Sequence, residues 1–225
     1  MSYFVTGTDT GVGKTLISCA LLHGFAAQGN SVLGMKPVAA GCGEDGIHED
    51  VRQLRAASNA LASLGQINPY CFVQAVAPHL AAEFSGVSIN FERILASYTE
   101  LAGQADVVIV EGAGGFIVPM NSEQDSADLV VQLGLPIILV VGMRLGCLNH
   151  ALLTVEAITA RGLTLAGWVA NVLDKNMAMR DENIAALQQR IAAPLLGVVP
   201  HQQQSDALAA ASCLNLGLLG YDGNS

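Results

Sequence analysis

Charge is scarce in this chain of 225 residues: Asp, Glu, Lys and Arg together make up 13%, against 52% hydrophobic residues. That balance suits a central sheet covered on both faces, with apolar surface left over for a subunit interface. Basic residues are fewer still, ten Lys and Arg against nineteen Asp and Glu, for a net charge of −9. Such a chain gains nothing from a general attraction to nucleic acid, so any polyanion must be held by a local nest of backbone amides and a few placed lysines. No apolar run is long and glycine-free enough to span a bilayer, and the most apolar stretch, residues 135–141, is strand-sized behind a turn at Gly134. The five cysteines (Cys19, Cys42, Cys71, Cys147 and Cys213) form no CxxC pair, which implies neither a disulfide framework nor a zinc knuckle. His23, His48 and His79 lack metal-ligand spacing. Residues 3–6 run straight into a glycine-rich loop where a signal peptide would have a basic and then an apolar region. The expectation is a cytoplasmic protein with reduced thiols. Repeats, low-complexity tracts and long linkers are also missing, so residues 1–225 are expected to form a single domain.

What is present alternates. Short Val, Ile and Leu runs predict strands at 3–6, 31–37, 106–110, 136–141, 165–171 and 195–199. Helices are predicted at 14–28, 48–63, 90–103, 149–161 and 177–190, with a loop over 38–48, a less regular stretch over 68–78 and a frayed tail from Gly220 to Ser225. Strands without polar alternation are buried on both faces, and interposed helices mean parallel crossovers. The fold class is therefore α/β, a doubly wound, mostly parallel sheet flanked by helices, in which ligands collect at the carboxyl ends of strands. Four candidate segments fall there: residues 7–15, 36–41, 111–115 and 142–149.

The first is Gly7-Thr8-Asp9-Thr10-Gly11-Val12-Gly13-Lys14-Thr15, between a strand and a helix. Its glycines let backbone wrap phosphate oxygens, the helix N-terminus offers unpaired N–H groups, Lys14 neutralises the terminal phosphates, and the Thr15 hydroxyl suits Mg²⁺. The spacing departs from the standard P-loop, with the first glycine six residues before Gly13 and Thr8 where glycine is usual. The second segment puts Lys36 at the end of an apolar strand. A lysine there can snorkel to the surface, but after the second strand it is placed to point at the phosphate loop and stabilise a developing anion. A hard cation on a nucleotide needs oxygen ligands beyond the phosphates. Glu111, at the end of a buried strand and followed by Gly112, Ala113, Gly114 and Gly115, is one. Among Glu44, Asp45, Glu49 and Asp50, any could be another.

With GTDTGVGKT, KPVAAG, EGAGG, VGMRLGCLNH and GWVAN in this order, residues 3–200 resemble the ATP-dependent dethiobiotin synthetases, a branch of variant P-loop proteins. Partition ATPases of the same branch carry a lysine early in the loop, where this chain has Asp9. The resemblance implies closure of the ureido ring of dethiobiotin from 7,8-diaminononanoate, CO₂ and ATP, with Mg²⁺, in biotin biosynthesis, by a homodimer. It implies Lys36 and Lys14 as catalytic residues, and Thr15, Asp50 and Glu111 at the metal. ATP falls to Gly11, Val12, Gly13, Lys14, Thr15, Leu16, Asp50, Glu111, Gly112, Ala113 and Gly114, with Asn171, Val172, Pro200, His201 and Gln202 around the base. Substrate falls to Thr10, Lys36, Ala40 and Gly114, and Leu145, Gly146 and Asn149 of the second subunit hold its carboxylate tail. Ala40 stands where the family often has a serine that contacts substrate. His150 and Cys147 are assigned packing and capping, not chemistry. A glutamine-dependent amidoligase needs a further domain or partner and a Cys/His nucleophile motif, both missing here. A partition-type nucleotide switch would need the early-loop lysine that this chain replaces with Asp9.

Overall fold

The computed structural model describes residues 1–220. Its elements run β1 (Ser2–Gly7), α1 (Lys14–Ala27), β2 (Val32–Met35), β3 (Val38–Ala40), α2 (Glu49–Ala57), α3 (Leu64–Ile67), β4 (Tyr70–Phe72), α4 (Pro78–Phe84), α5 (Phe91–Ala102), β5 (Val107–Glu111), α6 (Ser126–Leu133), β6 (Ile137–Met143), α7 (Cys147–Ala160), β7 (Leu165–Val172), α8 (Arg180–Gln188), β8 (Leu195–Val199) and α9 (Ala207–Ala211), then a 3₁₀ turn, Leu216–Leu219. The expected frayed tail lies, past Gly220, outside the described residues.

Six strands make one sheet in the order β2-β5-β1-β6-β7-β8, every pair parallel. Side chains of successive strand residues go to opposite faces. Phe4, Val108, Val110 and Ile137 meet Ile94, Leu129 and Ile158 of α5, α6 and α7 on one face. Val5, Ile109, Ile138 and Val140 meet Ile17, Leu21 and Leu54 of α1 and α2 on the other. On the β6–β7 side, Leu139, Val141 and Trp168 pack with α7 and α8. Helices on both faces explain why the strands read as unbroken apolar runs.

Helix α2 stops at Ala57, shorter than the 48–63 expected, because its last residues serve the edge of the sheet. Ser58 Oγ accepts from Gly34 N at 3.0 Å and Asn59 Oδ1 from Val32 N at 2.7 Å, so the outer backbone of edge strand β2 is closed to other chains. Two other expectations are corrected. The loop over 38–48 begins as a strand, and β3 pairs in parallel with β4, from the stretch read as irregular, to form a second, two-stranded sheet. At its end Cys42 and Cys71 are joined as a disulfide, their Cα atoms 6.1 Å apart, so these two thiols are not free. Residues 29 apart with no CxxC spacing gave no local sign of it.

Candidate active site

The phosphate loop closes on Gly13, whose φ of 91° is left-handed and serves as N-cap of α1 without any side-chain cap. A side chain here would strain the backbone and strike the Asn171 amide. That amide donates to Val12 O at 2.8 Å, fastening the loop to the end of β7. Because no side chain caps α1, its first N–H groups face the concavity of the loop. Lys14 folds back so that Nζ donates to Asp9 O at 3.0 Å.

Side chains from two strand ends and two helix starts converge beside the loop. Lys36 Nζ donates to Glu111 Oε1 at 2.5 Å and to Gly112 O at 3.2 Å, and lies 2.9 Å from Asp50 Oδ2. Thr15 Oγ1 donates to the same Glu111 oxygen at 3.0 Å. The adjacency follows from topology: β1, β5 and β2 are consecutive in the sheet, and α2 begins at its carboxyl edge. Asp50 is fixed by His48, whose Nδ1 accepts from Asp50 N at 3.1 Å as N-cap of α2. The position of Lys36 is fixed by its own backbone: N donates to Ile67 O at 2.8 Å, and O accepts from Asn68 Nδ2 at 2.6 Å.

Electrostatics separate the two lysines. Burial pushes Lys14 down to about 8, and the nearby Lys36 charge adds to the effect, more than Glu111, Asp50 and Asp9 restore. Burial also opposes the charge on Lys36, but Glu111 and then Asp50 outweigh it and hold its pKa above the usual lysine value. Asp50 pays the same burial penalty, overcome by Lys36, and its pKa lies below the usual carboxylate range. Lys36 is thus a fixed cation, whereas Lys14 is a cation that environment can discharge.

Among the described residues no cluster of three His, Cys, Asp or Glu forms a ready cation cage. The donor set nevertheless fits Mg²⁺ held jointly with phosphates: a hydroxyl, two carboxylates, and a buried Glu111 Oε2 with no hydrogen-bond partner.

The other expected residues divide into two groups. Near the cluster, Thr10 Oγ1 lies 3.7 Å from where a Cβ on Gly114 would stand, so these two sit together. Ala113 is half-buried beside Gly112, Ala40 ends β3 opposite Phe72, and Leu16 is half-buried on α1. Gly112 has its room already taken, since a Cβ there would stand 2.9 Å from Phe4 Cζ. Toward the other edge, Val172 is buried at the end of β7, and Pro200 follows Val199, the register partner of Asn171. Pro200 and His201 are exposed, while Gln202 exchanges hydrogen bonds with the Asp206 backbone. Gly146 is the N-cap of α7 with φ 95°, Asn149 is exposed, and Leu145 is 97% exposed. Arg144 was not singled out by sequence. Its Nη2 donates to Asp9 Oδ2 at 2.5 Å and ties this loop to the phosphate loop, and only a long-range charge pair could have signalled it. A cleft of about 370 Å³ lined by Ser88, Asn90, Gln124 and Gln132, among others, includes none of these residues.

Fold and loop together define a P-loop nucleotide-binding α/β protein. In fold the chain is similar to the septum site-determining protein MinD of Pyrococcus horikoshii, solved with Mg-ADP, at a TM-score of 0.54 and 17% identity, covering 94% of this chain and 93% of that one. It is similar also to the signal recognition particle receptor FtsY of Elizabethkingia anophelis, at a TM-score of 0.52 and 16% identity, over 94% of this chain and 64% of that one. A family model described as an AAA domain matches residues 1–209. In sequence the chain is 56% identical over 218 residues to the ATP-dependent dethiobiotin synthetase of Nitrosospira multiformis, covering 97% of this chain and 96% of that protein. It is 57% identical over 218 residues to the synthetase of the same name from Aromatoleum aromaticum, covering 96% and 97%. The chain belongs to the ATP-dependent dethiobiotin synthetase family.

Proposed function

We propose that this protein closes the ureido ring of dethiobiotin from 7,8-diaminononanoate, CO₂ and ATP, as a cytoplasmic homodimer whose chain acts as one domain. The observation that carries the reading is the Lys36–Glu111–Asp50–Thr15 cluster beside the phosphate loop, in a chain of this family.

One amine captures CO₂ to give a carbamate. Lys36, charged throughout the neutral range, and Lys14 offset its negative charge. Backbone N–H groups over residues 11–16 hold the β- and γ-phosphates, and Lys14 binds the terminal one. Thr15, Asp50 and Glu111 would hold Mg²⁺, which when bound neutralises phosphate charge and aligns the transferring group. The carbamate oxygen attacks the γ-phosphorus in line and ADP leaves, giving a carbamic–phosphoric anhydride. The second amine then attacks the carbonyl carbon and expels phosphate. No residue need act as a general base of raised pKa, which suits a cluster built for charge and position. Thr10, Ala40 and Gly114 line the diamine, Asn171, Val172, Pro200, His201 and Gln202 the base, and Gly112 and Ala113 the phosphates. Leu145, Gly146 and Asn149 from a second copy receive the carboxylate tail at an uncapped helix start.

The deciding experiment measures phosphate release from MgATP and bicarbonate with and without 7,8-diaminononanoate, with product mass in parallel. Diamine-dependent release together with the mass of dethiobiotin supports the reading. Diamine-independent release from folded, ATP-binding protein overturns it in favour of a nucleotide switch.

A further inference from the structure

We propose that Cys42 and Cys71 form a reversible thiol–disulfide site that sets how firmly the strand carrying Lys36 is held. The pair bridges the small sheet at its open end, between two arms of the active-site cluster. One arm is residues 36–42, zipped to residues 67–72 by Lys36 N to Ile67 O, Tyr70 N to Pro37 O at 3.1 Å and Cys42 N to Phe72 O at 2.9 Å. The other is residues 43–48, which lead from Cys42 to His48 and the Asp50 that it caps. A two-stranded sheet of three residues per strand is marginal on its own, so a covalent tie at its end changes how often it opens. Among the described residues no covalent tie links the phosphate loop, which rests on β1, α1, the Asn171 amide and the Asp9–Arg144 pair.

The chemistry needs only a small disulfide such as glutathione disulfide. Cys71, the more exposed of the two, attacks as thiolate, the S–S bond of the oxidant breaks, and one glutathione thiolate leaves. The Cys42 thiolate then attacks the Cys71 sulfur of the mixed disulfide and expels the second glutathione. Two cysteine thiols are oxidised, one glutathione disulfide is reduced to two thiols, and these take up the two protons. Two of the other cysteines are poorly suited: burial, with Glu111 and Asp50 nearby, pushes the Cys19 thiol up to about 12, and Cys147 is buried; Cys213, which is half-buried, serves as the control.

The consequence for the diamine rests on the proposed function. Reduction loosens residues 36–48, weakening diamine capture more than MgATP affinity, for which Thr15, Glu111 and the phosphate loop lie outside the loosened segment. The test equilibrates the full chain across ratios of reduced to oxidised glutathione, quenches with an alkylating reagent, and reads Cys42 and Cys71 by peptide mass. Limited proteolysis within residues 43–48, the KM for 7,8-diaminononanoate and MgATP affinity are measured on the same samples. The expected result is one two-electron transition confined to this pair, faster cleavage in the reduced form and a KM higher by about fivefold. Cys42→Ser and Cys71→Ser hold the reduced values at every ratio, and Cys213→Ser leaves the transition in place. Full alkylation of both cysteines in glutathione disulfide alone overturns the site. Equal cleavage and equal KM in the two forms overturn its role. If neither form makes dethiobiotin, the proposed function fails, while mass and proteolysis still decide the site.

Discussion

From β1 outward, β5 and β2 end in charged side chains shut away from solvent: Lys36 is 4% exposed and Glu111 1%. In the other direction β6, β7 and β8 end in backbone and mostly uncharged groups that solvent reaches, among them Leu145, Asn149, Pro200 and His201. In the first half each of these charges meets an opposite one inside one chain, with Glu111 Oε2 left unpartnered. The second presents a helix start with no side-chain cap and, among the described residues, an apolar Leu145 that is almost fully exposed. The proposed function puts the chemistry that runs on fixed charge in the first half. It puts recognition of the ligand ends in the second, where a second copy is proposed to contribute. One link between them is the Asp9–Arg144 pair, in which both side chains are more than a third exposed.

The sharpest way to break the comparison is Lys36→Gln. It leaves two carboxylates facing each other without their cation, and stability should fall by about 3–5 kcal/mol in denaturant titrations. Turnover should fall by about 100-fold or more with MgATP binding retained. Mg²⁺ should also raise the melting temperature of this variant more than that of the wild type, because the ion can supply the missing charge. Turnover at the wild-type level would remove Lys36 from the mechanism. Next, Gly112→Ala forces a Cβ to 2.9 Å from Phe4 Cζ in the first half, costing about 1–3 kcal/mol by thermal unfolding. A neutral outcome there would mean that the junction of β1 and β5 is looser than its contacts suggest.

Third, pH separates the lysines. Lys14 keeps its proton in the free protein only up to about pH 8, and phosphate beside it raises its pKa in the complex. Affinity for MgATP should therefore be level below pH 8 and fall above it by up to about tenfold per pH unit, because binding then takes up a proton. For folding the sign is opposite. A lysine held below its ordinary value of 10.5 costs stability when charged, and that cost fades as pH rises from about 8. Calorimetry in buffers of different ionisation enthalpy checks the proton uptake, and a flat profile to pH 10 would contradict the burial of Lys14. The smallest effects lie in the exposed half. Arg144→Ala should cost under about 1 kcal/mol of stability, as an exposed pair does, and Leu145→Ala under about 0.5 kcal/mol in the isolated chain. If Leu145 meets a second copy, the same change will raise the dimer dissociation constant in sedimentation. An unchanged constant argues against that interface.

How much of this could be read beforehand follows from distance along the chain. The phosphate loop is one contiguous segment whose glycines, lysine and threonine act on each other locally, and Leu195–Val199 matched its predicted strand residue for residue. Lys36 and Glu111 were placed at strand ends correctly, yet their direct contact spans 75 residues and no local pattern encodes it. The same holds for Asp9 with Arg144 and for Cys42 with Cys71. Helix α6 carries its signal in a capping box, Asp125 with Asp128, whose second member is Asp rather than the Glu or Gln that makes such boxes legible. The short strands β3 and β4 hold three residues each, too few for periodicity to show.

One contact bears on the order in which the molecule is made. The hydrogen bond from Asn171 to Val12 joins residues 159 apart. The nucleotide loop leaves the ribosome early, but its final shape depends on a strand synthesised much later. Ligand binding should therefore arrive late in synthesis, after β7 has emerged and taken its place beside β6. A nascent chain stalled before Asn171 would hold the whole loop sequence and lack the brace that finishes it.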